Sequence, residues 1–357
     1  MKNFLRQVKD LLSPEKAFRH PKQLPGKTPT AIDFSNPRKV AIEASTACQL
    51  KCLTCPTSRG MIRDHLGTGF LSPENLNEFL IKHPLITHIE LSNWGEAFLN
   101  PRLLEIFRIL YENNVTITLL NGVNLNSASD EVLEALVNYK VRTMTCSIDG
   151  ASQETYSIYR VNGNFGKIIE NIRKINLYKE KYRSEYPRLK WQFVAFGHNE
   201  HEIGKARDMA AELNMSFKMK LSWEDVFYEN FSPVKDKVLI RFLSPSGTAD
   251  RKEYEEKFGK HYVNSCCLQM WLRPRINFDG RVLGCCINFW EDFGNAFDQG
   301  LEACLKSEKM QATRDLLMGQ VSARTDIPCF RCKVYESRVR LRRFVTAEEL
   351  FQEGKAV

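Results

Sequence analysis

Three cysteines on one short stretch, Cys48-Gln49-Leu50-Lys51-Cys52-Leu53-Thr54-Cys55, hold the densest chemistry in the chain. A C-x3-C-x2-C loop can bind three irons of a [4Fe–4S] cluster and leave the fourth iron open to a small molecule. Zinc is the competing occupant, but it requires a fourth Cys or His, and His20 and His65 lack ribbon-like spacing. A second set lies near the C-terminus: Cys267, Cys285 and the C-x2-C pair Cys329 and Cys332. Four thiolates can close a cluster with no open iron or hold a zinc ion, and spacing alone does not separate the two. Cys146, Cys266, Cys286 and Cys304 are left over. The 11 cysteines cannot all pair. Charge interrupts the apolar residues of Met1-Lys2-Asn3-Phe4-Leu5-Arg6-Gln7-Val8-Lys9-Asp10 too early for a secretory h-region, so a disulfide framework is not expected.

The elements that must position these thiols follow from hydrophobic patterning. Strand-like segments at 40–45, 88–92, 116–120, 143–148, 190–196 and 216–221 alternate with helix-like segments at 73–82, 101–112, 130–138, 165–181 and 200–213. Ser72 before Pro73 reads as an N-cap with proline in the first turn. Six such repeats predict an α/β fold, a partial (β/α)6 TIM-like barrel over residues 38–222; a barrel of eight units would need about 250 residues. Residues 1–37 read as a basic, proline-dotted lead-in with a short helix, and 223–261 as a connector. Residues 262–335 read as a small α+β domain. It contains a hairpin turning at Asp279-Gly280 and a helix at 303–317, and a basic C-terminal helix follows over 336–357.

The cysteine loop directly after the first strand, together with the six-unit barrel, resembles the radical S-adenosylmethionine (radical SAM) enzymes. The resemblance implies that Cys48, Cys52 and Cys55 hold a [4Fe–4S] cluster whose open iron chelates S-adenosylmethionine. It also implies reductive cleavage of that cofactor to a 5′-deoxyadenosyl radical, which takes a hydrogen atom from substrate. Where the family often has an aromatic residue before its third cysteine, this chain has Thr54. Asn93-Trp94-Gly95-Glu96-Ala97 resembles the family's Gly-Gly-Glu-Pro segment, with Gly95 and Glu96 kept and Glu96 implied to accept from the methionine ammonium. Leu120-Asn121-Gly122 resembles its Thr-Asn-Gly element, and Cys146-Ser147-Ile148-Asp149-Gly150 its Ser-Ile-Asp-Gly element. These imply cofactor contacts from Asn121, Ser147 and Asp149, with Cys146 packed on the other face. Tyr156-Ser157-Ile158-Tyr159-Arg160 resembles the segment whose arginine meets the cofactor carboxylate. Asn199 falls in an Asn-x-x-Glu turn similar to one near the adenine in relatives; His198 and His201 read as turn residues there.

The later cysteines resemble a SPASM domain in its shortened Twitch form, since no cysteine follows Cys332. This resemblance implies that Cys267, Cys285, Cys329 and Cys332 hold an auxiliary [4Fe–4S] cluster. That cluster could accept an electron from substrate, bind substrate, or relay electrons. In related epimerases a thiol returns a hydrogen atom to the substrate radical, a role open to Cys286 or Cys266 if either faces the barrel mouth. Trp94, Trp223, Trp271 and Trp290 are further candidates to line that mouth.

The net charge of +8 comes without a nucleic-acid-binding motif, and no apolar run approaches the roughly 18 residues of a membrane span. A cytoplasmic enzyme is expected. A flavodoxin- or ferredoxin-type donor is expected to supply electrons, with the basic stretch 338–343 as one docking surface for such an acidic partner. The short lead-in favours a carbohydrate-like or aminocyclitol metabolite, dehydrogenated or epimerised, over a ribosomal peptide. An inactive cluster- or zinc-stabilised binding protein is the alternative of another class.

Overall fold

The computed structural model describes residues 34, 36–222, 231–322 and 324–356. Most of the N-terminal lead-in, including His20 and the stretch expected to form a short helix, and residues 223–230 of the connector lie outside the described residues. Seven parallel strands form one open sheet: β1 (Lys39–Ile42), β2 (His88–Glu90), β3 (Thr116–Val123), β4 (Thr143–Ser147), β5 (Arg188–Ala195), β6 (Ser216–Leu221) and β7 (Arg275–Ile276). Their order is β6-β5-β4-β3-β2-β1-β7. The first six are the expected barrel strands. Their apolar residues, among them Val40, Ile42, Ile89, Ile117, Met144 and Trp191, are buried because helices cover the outer face and loops the inner one.

Helices Pro73–Lys82, Leu103–Glu112, Asp130–Asn138 and Phe165–Lys181 pack on the outside. Ser72, Ser129 and Asn164 cap three of them by accepting from a backbone N–H in the first turn. Each helix buries an apolar stripe such as Ile106, Phe107 and Leu110, every such side chain stabilising the fold by about 1.5–3 kcal/mol.

Four departures from the sequence reading have physical causes. The segment read as a connector contains helices Lys237–Leu243 and Arg251–Phe258, capped by Asp236 and Asp250. The helix expected at 303–317 is two, Leu301–Lys306 and Glu308–Leu317, because Ser307 ends the first and caps the second. The Asp279-Gly280 turn forms, with Gly280 at φ 93° and Ile276 bridging Val282, yet the first arm of this hairpin also serves the barrel. As β7 it pairs in parallel with β1, Ala41 against Arg275 and Ile42 against Ile276.

The fourth concerns the basic stretch expected to dock an acidic partner. Arg338 is 1% exposed and donates to Asn264 O at 2.7 Å and Arg343 O at 2.8 Å. Arg340 is held by Glu255. Arg338 is therefore a core residue and drops out of that surface, while Arg340, Arg342 and Arg343 stay exposed.

Candidate active site

The loops that follow the strands meet around one cavity of about 570 Å³, at the C-terminal ends of the strands where α/β barrels build their sites. Cys48, Cys52 and Cys55 line it from the loop after β1, Trp94, Gly95 and Glu96 from the loop after β2, and Asn121 from β3. Ser147 of β4 and Arg160 complete one wall. The three thiols share a tight turn, with Cys55 N donating to Cys52 O at 3.1 Å. Burial, then the nearby Glu96 carboxylate, pushes the Cys48 thiol up to about 12. Burial lifts Cys52 to about 11 against the pull of Arg160. Thr54, in place of an aromatic residue, shares a 2.8 Å hydrogen bond with the Tyr159 hydroxyl.

Buried carboxylates shape this wall. Glu43, at the end of β1 and 2% exposed, accepts from the backbone N–H groups of Asn93, Trp94 and Gly95. Glu90 accepts from Leu120 N, Ser92 Oγ and Thr118 Oγ1, tying the ends of β2 and β3 together. Between them the turn is drawn so close to the segment after β1 that a Cβ on Gly95 would stand 2.1 Å from Ser45 O; no other residue fits. Glu96 then reaches the cavity while its two oxygens accept from Phe98 N and Asn124 N. The Asn121 side chain donates to Ser92 O at 2.9 Å.

Burial raises Glu43 to about 7, opposed by Arg275 and the three backbone donors. A carboxyl group raised on folding contributes stability that is fully present below its ordinary range and lost as pH rises through about 7. Glu43→Gln is thus expected to gain on the wild type, by on the order of 2 kcal/mol between pH 5 and 7.5. Urea midpoints of both proteins across that range measure it, and a difference independent of pH would refute it.

Asp149 and Asn199 do not line the cavity. Asp149 is fully buried; it accepts from Arg160 Nε at 2.6 Å and Val194 N at 2.8 Å. The far side of the Arg160 guanidinium reaches Cys52 Sγ at 3.7 Å. Asn199 accepts from Phe196 N and donates to Asp149 O and Val194 O, which locks the end of β5 under Asp149.

The C-terminal region places its cysteines in two groups. Cys267, Cys285, Cys329 and Cys332 are close enough to feel one another's charge, and none of them lines the cavity. Cys266 and Cys286 do line it. A hydrogen bond from Cys266 holds the Cys286 thiol down against burial. Cys146 and Cys304 are packed in the core. Trp94 lines the cavity, Trp271 is buried, and Trp290 donates to Pro328 O at 3.2 Å.

Comparison with known families settles the identity of both parts. The Radical SAM superfamily domain matches residues 42–181, and the SPASM iron–sulfur cluster-binding domain matches residues 266–333. The chain is a radical SAM protein with a C-terminal SPASM domain. The AdoMet-dependent heme synthase of Methanosarcina barkeri (strain Fusaro / DSM 804) is 26% identical over 179 residues, 50% of this chain and 48% of that protein. The chain thus matches about half the length of this curated relative. Streptococcus suis SuiB bound to S-adenosylmethionine superposes with a TM-score of 0.60 at 12% identity, over 85% of this chain and 72% of SuiB. Native anSMEcpe with bound AdoMet gives 0.57 at 16% identity, over 89% and 98%. At these identities the likeness is one of fold.

A radical SAM protein with a SPASM domain carries S-adenosylmethionine and [4Fe–4S] clusters, and the residues present fit them. Three thiols line the cavity beside an arginine and a buried carboxylate, and four more gather behind it. Among the described residues no three His, Cys, Asp or Glu side chains converge as a single ion requires; a cluster spreads its thiolates over separate irons. No described helix is long and apolar enough to cross a membrane. Sequence reasoning missed Glu43 and Glu90, although an acid inside an otherwise apolar strand was a visible signal. It also missed Lys218 and Lys220 of β6 and Arg273, which line the cavity.

Proposed function

We propose that this protein is a radical SAM enzyme that removes a hydrogen atom from a small, carbohydrate-like substrate in the cavity, with dehydrogenation or epimerisation as the net reaction. With its cluster and S-adenosylmethionine bound, the site supplies a 5′-deoxyadenosyl radical. Cys48, Cys52 and Cys55 hold that cluster, and Cys267, Cys285, Cys329 and Cys332 the auxiliary one. Glu96 receives the methionine ammonium, Arg160 the carboxylate, and Asn121 and Ser147 the remaining polar edge. Asp149 and Asn199 position these groups from beneath. The observation that carries the reading is that the three thiols, Glu96, Asn121, Ser147 and Arg160 all line one cavity, whose size falls in the range of small-molecule sites.

Cys286 and Cys266 line that cavity as well. In an epimerisation the thiol of this hydrogen-bonded pair would give its S–H hydrogen atom to the substrate radical, and the thiyl radical left behind would take one electron from the flavodoxin- or ferredoxin-type donor and one proton from solvent. Modification of a ribosomal peptide is the second reading, suggested by the fold shared with SuiB, whose structure bound to the precursor peptide SuiA is among the neighbours. The test is reductive release of 5′-deoxyadenosine by the reconstituted enzyme against a panel of sugars, cyclitols and peptides, run in deuterium oxide. Stimulated release with deuterium at carbon supports epimerisation, and a product two mass units lighter supports dehydrogenation. No release from the iron-loaded protein defeats the enzyme reading.

A further inference from the structure

Lys218 and Lys220 stand two residues apart on β6, so both point to the same face of the sheet. Their β5 partners in register, Gln192 and Val194, line the cavity beside them. Arg273 joins them from the segment just before β7, at the opposite free edge of the open sheet. Both Lys220 and Arg273 lie within electrostatic reach of Cys286, which places them near each other across the mouth.

Among the described residues these cations have no acid of their own. None of the ion pairs among the described residues involves them, whereas Arg160, the other cation of the lining, is paired with Asp149. The lining holds two carboxylates, Glu96 and Glu353. Glu96 is engaged by Phe98 N and Asn124 N, and Glu353 is exposed on the Ala347–Ala356 helix. Glu90, the carboxylate acting on Arg273, is already committed to Ser92, Leu120 and Thr118. Nor are the three cations needed to neutralise the ligand thiols, because Arg160 stands against Cys52 and Arg338 against Cys267. Burial, then Lys218 and Arg251, brings Lys220 down to about 8, against the weaker opposing pull of Cys286 and Asp149. Charge gathered without a partner in a partly desolvated wall is costly until an opposite charge arrives.

We infer that Lys218, Lys220 and Arg273 form a receptor for an anionic group of the substrate, a carboxylate or a phosphate, held across the cavity from the radical-generating thiols. The inference rests on the proposed function only in taking the anion's carrier to be the substrate. Two lysines roughly 6–7 Å apart along a strand and a forked guanidinium can share several oxygens of one di- or trianion. A cationic aminocyclitol is the wrong charge for this wall.

The test is calorimetry on the anaerobically reconstituted protein with S-adenosylmethionine, titrated at low salt with pyrophosphate and separately with citrate. One of the two is expected to bind with a Kd below about 1 mM, weakening as salt is added, and the stronger one tells phosphate from carboxylate. The triple variant Lys218→Gln, Lys220→Gln, Arg273→Gln should lose at least tenfold in affinity. Lys218→Arg with Lys220→Arg should keep most of it, and the singles Lys218→Gln and Arg273→Gln about threefold less than wild type, so the result does not hang on one fragile protein. The receptor is overturned if neither anion binds, or if the triple variant binds as the wild type does, which would mark adventitious anion binding only. Release of 5′-deoxyadenosine by the same wild-type sample reports separately on the radical reading. Anion binding without release breaks that reading and keeps the receptor; release without anion binding does the reverse.

Discussion

Alanine at Cys48, Cys52 or Cys55 is expected to abolish 5′-deoxyadenosine release and to remove roughly half of the iron of a two-cluster protein. Alanine at Cys329 or Cys332 is expected to remove a similar share of iron while release persists above background. The asymmetry follows from where the thiols lie. The first three line the cavity with Glu96 and Arg160, whereas the quartet that includes Cys329 and Cys332 sits outside its lining. Cys286→Ala should differ from both, keeping its iron and its release but losing solvent deuterium at carbon if the product is an epimer. Iron content, visible absorbance and product analysis on the same preparations separate the three outcomes. Equal loss of release from both cysteine groups would show that the cavity boundary does not divide their roles.

Arg160→Ala should be the most damaging change outside the cysteines. Its partner Asp149 is fully buried, so truncation leaves a carboxylate without its counter-ion, a loss of about 3–5 kcal/mol. Part of that loss is recoverable. Asn at position 149 still accepts from Val194 N and carries no charge, so the double variant Asp149→Asn, Arg160→Ala should be more stable than Arg160→Ala alone. Release of 5′-deoxyadenosine should nevertheless stay at least tenfold down in the double variant, because the cation beside Cys52 is still missing. Urea midpoints and release rates on the two variants decide it. Recovery of activity along with stability would reduce Arg160 to a structural residue.

The sequence made the front of the site visible and hid its back. Cys48, Cys52, Cys55, Gly95, Glu96, Asn121 and Ser147 could be placed because they end strands in a regular alternation, and strand ends in this architecture converge. Asp149 could be placed near them but not assigned its depth, since only the fold shows Arg160 and Val194 claiming both oxygens. Glu43 escaped because its partners, Asn93 to Gly95, lie some fifty residues away, and a carboxylate serving backbone donors has no motif. Lys218 and Lys220 were in view as alternate residues of a strand, yet which face is inward becomes clear only from the register with Gln192 and Val194. The two-residue β7 is shorter than any periodicity can register. Arg338 looked like surface charge because its partners are carbonyl oxygens, which leave no trace in composition.

That short seventh strand bears on how such proteins can be cut, grafted or inherited. Pro274 O just before it and Ile276 O within it accept from Ala41 N and Glu43 N, and Arg275 donates to Ser92 O beside Glu43. A fragment ending near residue 262 would leave β1 as an open edge, a template for aggregation, and would strip the buried Glu43 of its cation. The same contacts run into the Asn93–Gly95 turn that Glu43 holds. A C-terminal region transplanted from a relative would therefore arrive with its own grip on the barrel's first strand, and the two regions are expected to change in step rather than as interchangeable cassettes.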